Sequence, residues 1–142
     1  MQLHLTIVTQ EKELLSTDID SLTVMTTSGE VTILPEHIPL MTKLKDSELI
    51  YRANGENHSL AVTGGFLNVE PKSTVVVLAD SAIRSEEINE AKAEEARKKA
   101  EETMQQEKLG KTEMFIAEGE LRKAILQLKI VGKRKQDRKS VV

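Results

Sequence analysis

The chain changes character over Ser81 to Ser85, and that change limits its fold more than any single motif does. Up to about residue 80, turn signals recur roughly every ten residues and apolar residues alternate with polar ones, the pattern of short strands in an all-β sandwich or barrel. From Glu86 to Lys108 there is no proline or glycine, and Ala, Glu and Lys dominate, all good helix formers. The spacing predicts an α+β protein in two parts: an N-terminal antiparallel β-sandwich over residues 1–84 and a C-terminal antiparallel αα-hairpin with a basic tail over 85–142.

The strand signals are local. Leu3, Leu5 and Ile7 alternate with His4 and Thr6. Leu22-Thr23-Val24 and Val31-Thr32-Ile33 flank a turn around Gly29. Glu48–Ala53 and His58–Thr63 flank Asn54-Gly55, a pair that takes the positive φ values of a type I′ hairpin turn. Gly64-Gly65, then Pro71-Lys72, break the chain again, and Thr74–Leu78 reads as a strand buried on both faces. Between Ile33 and Leu40 two prolines, Pro35 and Pro39, bracket Glu36-His37-Ile38. Proline fixes φ and donates nothing to a ladder, so this is an ordered bend displaying an acid and an imidazole.

In the helical part, Ser85 is the expected cap of a first helix over about 86–108, with Glu86 and Glu87 at its positive end. Glu94 with Lys98 and Glu95 with Lys99 are expected i,i+4 pairs. The apolar side is small: Ala93, Ala96, Ala100, Met104. Gly110-Lys111 breaks the run, Thr112 is the expected next cap, and a second helix follows over about 113–131. Its stripe is Met114, Ala117, Leu121, Ala124, Leu128 and Val131, widened by Ile125 and interrupted by Gly119. The chain after Gly132 is expected to fray. Each buried methylene contributes about 0.8 kcal/mol and an alanine stripe has few, so the hairpin is expected to detach or open while the sandwich stays folded.

Composition narrows the chemistry. Without cysteine, disulfides, thiolate nucleophiles and Cys-ligated metals are excluded. No apolar run reaches the ~20 residues of a membrane span, and a cytoplasmic location is the default expectation. Charge is uneven: residues 108–142 carry 10 basic and 4 acidic side chains, a net of +6 in a chain of net −3. The cluster Lys133, Arg134, Lys135, Arg138 and Lys139 reads first as a solvated tail and second as a match for an acidic partner surface. Nucleic acid fits it less well, because no aromatic residue interleaves to stack on bases.

No catalytic constellation emerges. Gly110-Lys111-Thr112 ends like a phosphate loop, but Gln105 stands where the first glycine belongs and a helix, not a strand, precedes it. His4, His37 and His58 fall on separate elements without metal-ligand spacing. Glu36-His37 reads as a recognition turn rather than an acid–base pair, because adjacent side chains on a bend diverge. The residues alone describe a non-enzymatic β domain with a basic helical arm, which a free-standing adaptor would also satisfy.

Four stretches together carry a resemblance: Gly29-Glu30; Ile33-Leu34-Pro35-Glu36-His37-Ile38-Pro39-Leu40-Met41-Thr42; Thr63-Gly64-Gly65-Phe66-Leu67-Asn68-Val69; and Val77-Leu78-Ala79-Asp80-Ser81-Ala82-Ile83-Arg84. They resemble the epsilon-subunit family of bacterial F-type ATP synthases over nearly the whole chain. Glu36 departs from the family, which usually has glycine there.

The resemblance implies a non-catalytic rotor subunit of the central stalk that links gamma to the c-ring and so couples proton translocation to ATP synthesis. It implies a peripheral position on the cytoplasmic face of the bacterial membrane, reached only through the complex, with no nucleic acid partner. By motif position it makes Glu30 a c-ring contact and His37 and Thr42 contacts at the gamma or c-ring junction. It implies that the helices can extend towards the alpha and beta subunits and inhibit ATP hydrolysis, with Arg122, Lys123 and Lys129 meeting an acidic segment of beta. Some members bind ATP through Ile/Leu-Asp-x-x-Arg-Ala. Here the run is Ile88-Asn89-Glu90-Ala91-Lys92-Ala93, in which Asn89 and Lys92 replace the acid and the bidentate arginine. Weak or absent ATP binding is expected, and no other cofactor.

Overall fold

The computed structural model describes residues 2–140, and side chains as far as Lys135. It divides into two compact units between Arg84 and Ser85.

The first unit is built of β1 (Leu3–Val8), β2 (Glu13–Ile19), β3 (Ser21–Thr26), β4 (Gly29–Ile33), β5 (Leu40–Lys43), β6 (Ser47–Ala53), β7 (Glu56–Thr63), β8 (Phe66–Glu70), β9 (Thr74–Leu78) and β10 (Ser81–Arg84). They form two five-stranded sheets, ordered β2-β1-β9-β8-β5 and β10-β7-β6-β3-β4. All pairings are antiparallel except β1 with β9, which run parallel with His4 opposite Thr74 and Val8 opposite Leu78. One face of each sheet supplies the core: Leu3, Leu5 and Ile7 of β1, Val75 and Val77 of β9, Leu67 and Val69 of β8, with Leu22, Ile33, Leu49 and Leu60 of the other sheet, are all buried. Strand β9 therefore departs from the sequence expectation. Only Val75 and Val77 are buried, the alternate positions facing the core, while Leu78 on the opposite face is half exposed.

The turns follow their residue chemistry. Asn54 and Gly55 both take positive φ, 54° and 78°, as a type I′ turn requires, and join β6 to β7. At Gly65, φ is 108° and a Cβ would collide with the Leu78 carbonyl, so no side chain fits where the chain enters β8.

The second unit begins with a 3₁₀ turn over Ser85–Glu87, not with the helix expected there. The cap of α1 (Glu90–Met104) is Asn89, whose Oδ1 accepts from the Lys92 N–H at 3.1 Å. Ile88, just before the cap, is buried, which ends the turn and sets the helix start. The helix stops at Met104, four residues short of expectation. Its last turn carries Glu101 and Glu102 and no base, unfavourable at the negative end of the dipole. The Gln105 and Gln106 N–H groups then bond back to Glu102 and Thr103 in i→i−3 fashion. Arg97 binds Glu94 and Glu101, so Glu94 is shared between Arg97 and the weaker attraction of the expected partner Lys98.

Helix α2 (Lys111–Ser140) is capped by the Gly110 carbonyl, which accepts from Met114, so Thr112 lies inside its first turn. The seam with α1 is Ala93 and Ala100 against Ala117, Ala124 and Val131, all buried, with Met114, Leu121 and Leu128 half-buried beside them. Ile125 does not widen it. At ~100° per residue it turns out of so narrow a seam and is 49% exposed. Leu126 and Ile130, roughly half a turn round the helix from the seam, are buried instead. The helix also runs through Gly132 rather than fraying there. Arg134 Nη1 donates to the Ser85 carbonyl at 2.8 Å, and Lys135 Nζ pairs with Glu90 Oε2 at 2.6 Å. These two contacts tie the end of α2 to the start of α1, which also makes the helices antiparallel. The side chains of Arg138 and Lys139 lie outside the described residues.

Candidate docking edge

The bend of residues 34–37 is a type II-like turn. The His37 N–H donates to the Leu34 carbonyl at 3.1 Å, Pro35 occupies the second position, and Glu36 takes φ of 68° at the third. Glycine is the residue that suits that position, so Glu36 is held there at a steric cost. The Glu36 N–H donates to Ser73 Oγ at 2.8 Å, and the Ser73 carbonyl in turn accepts from the His4 N–H at 2.9 Å. The bend is thus pinned to the β8–β9 turn rather than left as a loose loop. His37 Nδ1 lies 2.7 Å from the Ile38 carbonyl, an acceptor only, so Nδ1 carries the proton and Nε2 is the acceptor of the neutral ring.

This bend leads into β5, which forms the edge of its sheet. Three of the exposed large apolar residues of the sandwich lie on this bend and strand: Leu34 at 55%, Ile38 at 75% and Met41 at 71%. The register carries the patch inward along the outer face, Lys43 opposite Phe66 and Phe66 opposite Leu78, the last two half exposed. A rigid, apolar edge with a few polar groups is chemistry for docking a partner, because a monomer gains nothing by showing it to water.

The expected contact residues fall in different places. Glu30 is exposed on β4, the edge of the other sheet, opposite Met25. His37 is half-buried in the bend. Thr42 pairs with Leu67, which is fully buried, so its side chain shares the core-facing side of β5, and Met41 and Lys43 are the residues presented outward. Sequence reasoning missed Leu34, Ile38, Met41, Phe66 and Leu78 as a group. The available signal was slight: Met41 of β5 and Phe66 of β8 stand on outward faces otherwise made of Lys43, Asn68 and Glu70, where a half-buried strand would carry polar residues.

In the helical unit most of the run 88–93 serves the helix start. Ile88 and Ala93 are buried, Asn89 caps α1, and Lys92 is exposed. A groove of about 500 Å³ opens between the helices farther along, lined by Ala96, Lys99, Ala100, Thr103, Ile116 and Ala117 with Glu113 and Glu120. Two carboxylates against one lysine make it a poor cradle for phosphates. Arg122 and Lys129 are exposed and seven residues apart, hence on one side of α2, with Lys123 half-buried about a quarter turn away. The Glu94 carboxyl is held below its usual range chiefly by its hydrogen bond from Arg97. Among the described residues no group of three or more potential ligands forms a metal site, and no helix is long and apolar enough to cross a membrane.

The fold defines a two-part class of protein, a sandwich with an exposed apolar edge followed by a small-residue helical hairpin. Residues 2–85 match the family described as ATP synthase, Delta/Epsilon chain, beta-sandwich domain, and residues 86–132 its long alpha-helix domain. An ATP synthase epsilon chain of Dehalococcoides mccartyi is 44% identical over 135 residues, covering 95% of this chain and 96% of the relative. One of Chloroflexus aggregans is 44% identical over 130 residues, 92% of each. A chain of the Euglena gracilis mitochondrial ATP synthase superposes with a TM-score of 0.68 at 24% identity, over 85% of this chain and 76% of that one, and so supports the fold. The chain belongs to the ATP synthase delta/epsilon family, among the epsilon chains: a structural subunit of ATP synthase and not its catalytic part.

Proposed function

We propose that this chain is a rotor subunit of the central stalk, linking gamma to the c-ring so that proton-driven rotation is transmitted to the catalytic head. The observation that carries the reading is the apolar edge of Leu34, Ile38 and Met41 beside a bend fixed by Pro35, Pro39 and Ser73. Torque demands a grip that does not yield, and a bend anchored at both prolines and at Ser73 supplies stiffness where a loop would not. Glu30, exposed on β4, reaches towards the c-ring and His37 meets the gamma or c-ring junction from the bend, while Thr42 backs that edge from the core-facing side of β5. Chains of similar fold occur in the Euglena gracilis OSCP/F1/c-ring assembly and the Tetrahymena thermophila central stalk/c-ring assembly, which suits the reading.

The hairpin serves as a conformational inhibitor of ATP hydrolysis. In its extended form Arg122, Lys123 and Lys129 face an acidic segment of the beta subunit. Its seam of alanines stabilises the folded form weakly, which is what a switch of this kind requires. The subunit sits peripherally on the cytoplasmic face of the bacterial membrane, holds no cofactor, and binds ATP weakly or not at all. The test is reconstitution with the full chain, with a chain ending at Arg84, and with Met41→Asp. The full chain is expected to co-purify with gamma and restrain ATPase activity, the truncated chain to co-purify without restraining it, and Met41→Asp to be lost from the complex. Unchanged activity on truncation would remove the inhibitory role, and full retention of Met41→Asp would remove the docking edge.

A further inference from the structure

The opposite edge of the same sheet carries a second arrangement of polar side chains. On β2, Ser16 and Asp18 point outward, two residues apart, and His4 of β1 lies between them. His4 Nδ1 is 2.9 Å from Asp18 Oδ1, and His4 Nε2 is 2.9 Å from Ser16 Oγ. A carboxylate only accepts, so Nδ1 holds the ring proton and Nε2 is left as the acceptor for the Ser16 hydroxyl. That is the order of a nucleophile, its general base and the group that orients the base. The backbone fixes it: antiparallel register places His4 directly across from Asp18 and Thr6 across from Ser16. Thr6 Oγ1, 3.4 Å from Ser16 Oγ, adds a hydroxyl beside the nucleophile. Along the same outer face Thr6 is paired with Val76 and Val8 with Leu78, so an apolar platform begins one strand away.

We propose that Ser16 is an activated nucleophile that accepts acyl groups from esters of apolar acids, with His4 as its general base and Asp18 as the residue that positions the imidazole. The Ser16 oxygen attacks the ester carbonyl as its proton passes to His4 Nε2. The bond to the leaving alcohol then breaks, and that alcohol takes the proton. Water, deprotonated by His4, releases the acid and restores the serine. The site is open to solvent, with His4 and Asp18 side chains 46% and 64% exposed, so the acceleration belongs at the low end of general-base catalysis, about 100-fold. The alternative is a polar staple that merely joins β1 to β2.

The full-length chain is treated with an alkyl fluorophosphonate, which forms a Ser–O–P bond and releases fluoride, and separately with p-nitrophenyl butyrate. Peptide mass mapping is expected to find Ser16 modified about 100-fold faster than exposed Ser28. Ester hydrolysis is expected to fall to background in Ser16→Ala and by at least ~10-fold in His4→Ala and Asp18→Asn. Labelling of Ser16 no faster than Ser28, or hydrolysis untouched by Ser16→Ala, overturns the proposal. The comparison of two serines within the unaltered chain decides the matter even if a variant fails to fold. A negative result here leaves the stalk reading standing, since co-purification tests that independently.

Discussion

Replacing Glu36 by glycine should stabilise the sandwich, although it removes a side chain from a pinned bend. Glu36 is exposed and its φ is 68°, in the left-handed region. An L-residue in that conformation costs roughly 1–2 kcal/mol relative to the right-handed one, and glycine escapes that cost. Glycine also gives the unfolded chain more freedom, which takes back about 0.4–1 kcal/mol. The N–H to Ser73 Oγ and the His37-to-Leu34 turn bond are backbone contacts and survive the change. The net gain is therefore about 0.5–1 kcal/mol. Tyr51, the single tyrosine, stacks on His58 within the sandwich and reports its unfolding in urea. With a slope of about 1 kcal/mol/M for a unit of this size, the midpoint should rise by about 0.5–1 M with the slope unchanged. Glu36→Val, β-branched at the same φ, should move it the other way. A lower midpoint for glycine would show that the Glu36 side chain contributes more than its backbone costs, and the strain argument would fail.

Other outcomes bear on the hairpin. The double substitution Arg134→Ala and Lys135→Ala removes both ties to the start of α1 and should cost the hairpin about 1–3 kcal/mol, read as faster amide exchange over Glu90–Ala93 while the sandwich is unaffected. Gly119→Ala adds a methyl whose nearest neighbour is Arg122 Nη2 at 3.9 Å, so it should stabilise α2 by about 1 kcal/mol in thermal unfolding. Because the folded Glu94 carboxyl is held below its ordinary 4.5, its contribution is complete above that value and disappears as pH falls through the lowered folded value. Helicity of the hairpin followed by circular dichroism should show this acid loss, and Glu94→Gln should flatten it.

The fold was legible where residue chemistry is local. Asn54-Gly55, the prolines of the bend and the alternation of β1 each dictate their own structure, and the chain folds accordingly. The parallel pairing of β1 with β9 was not legible, because nothing within either strand records a partner about seventy residues away. Helix limits failed for electrostatic reasons and reasons of reach: acids at the C-terminal end shortened α1, and Arg134 and Lys135 prolonged α2 by grasping groups nearly fifty residues earlier. At the β5 edge the proline-bracketed bend could be read, but the apolar patch spans three strands and exists only once register is set.

The alanine seam of the hairpin has one more consequence. Ala93 and Ala100, and Ala117, Ala124 and Val131, repeat every seven residues, so the seam is nearly self-similar. Sliding one helix along the other by a heptad, about 10 Å, would exchange one small-residue contact for another of almost the same kind. Apolar packing therefore specifies that the helices meet, and only feebly where they stop. Alignment is left to the two cations at the far end of α2, a vernier whose reading depends on charge and so on the ionic surroundings.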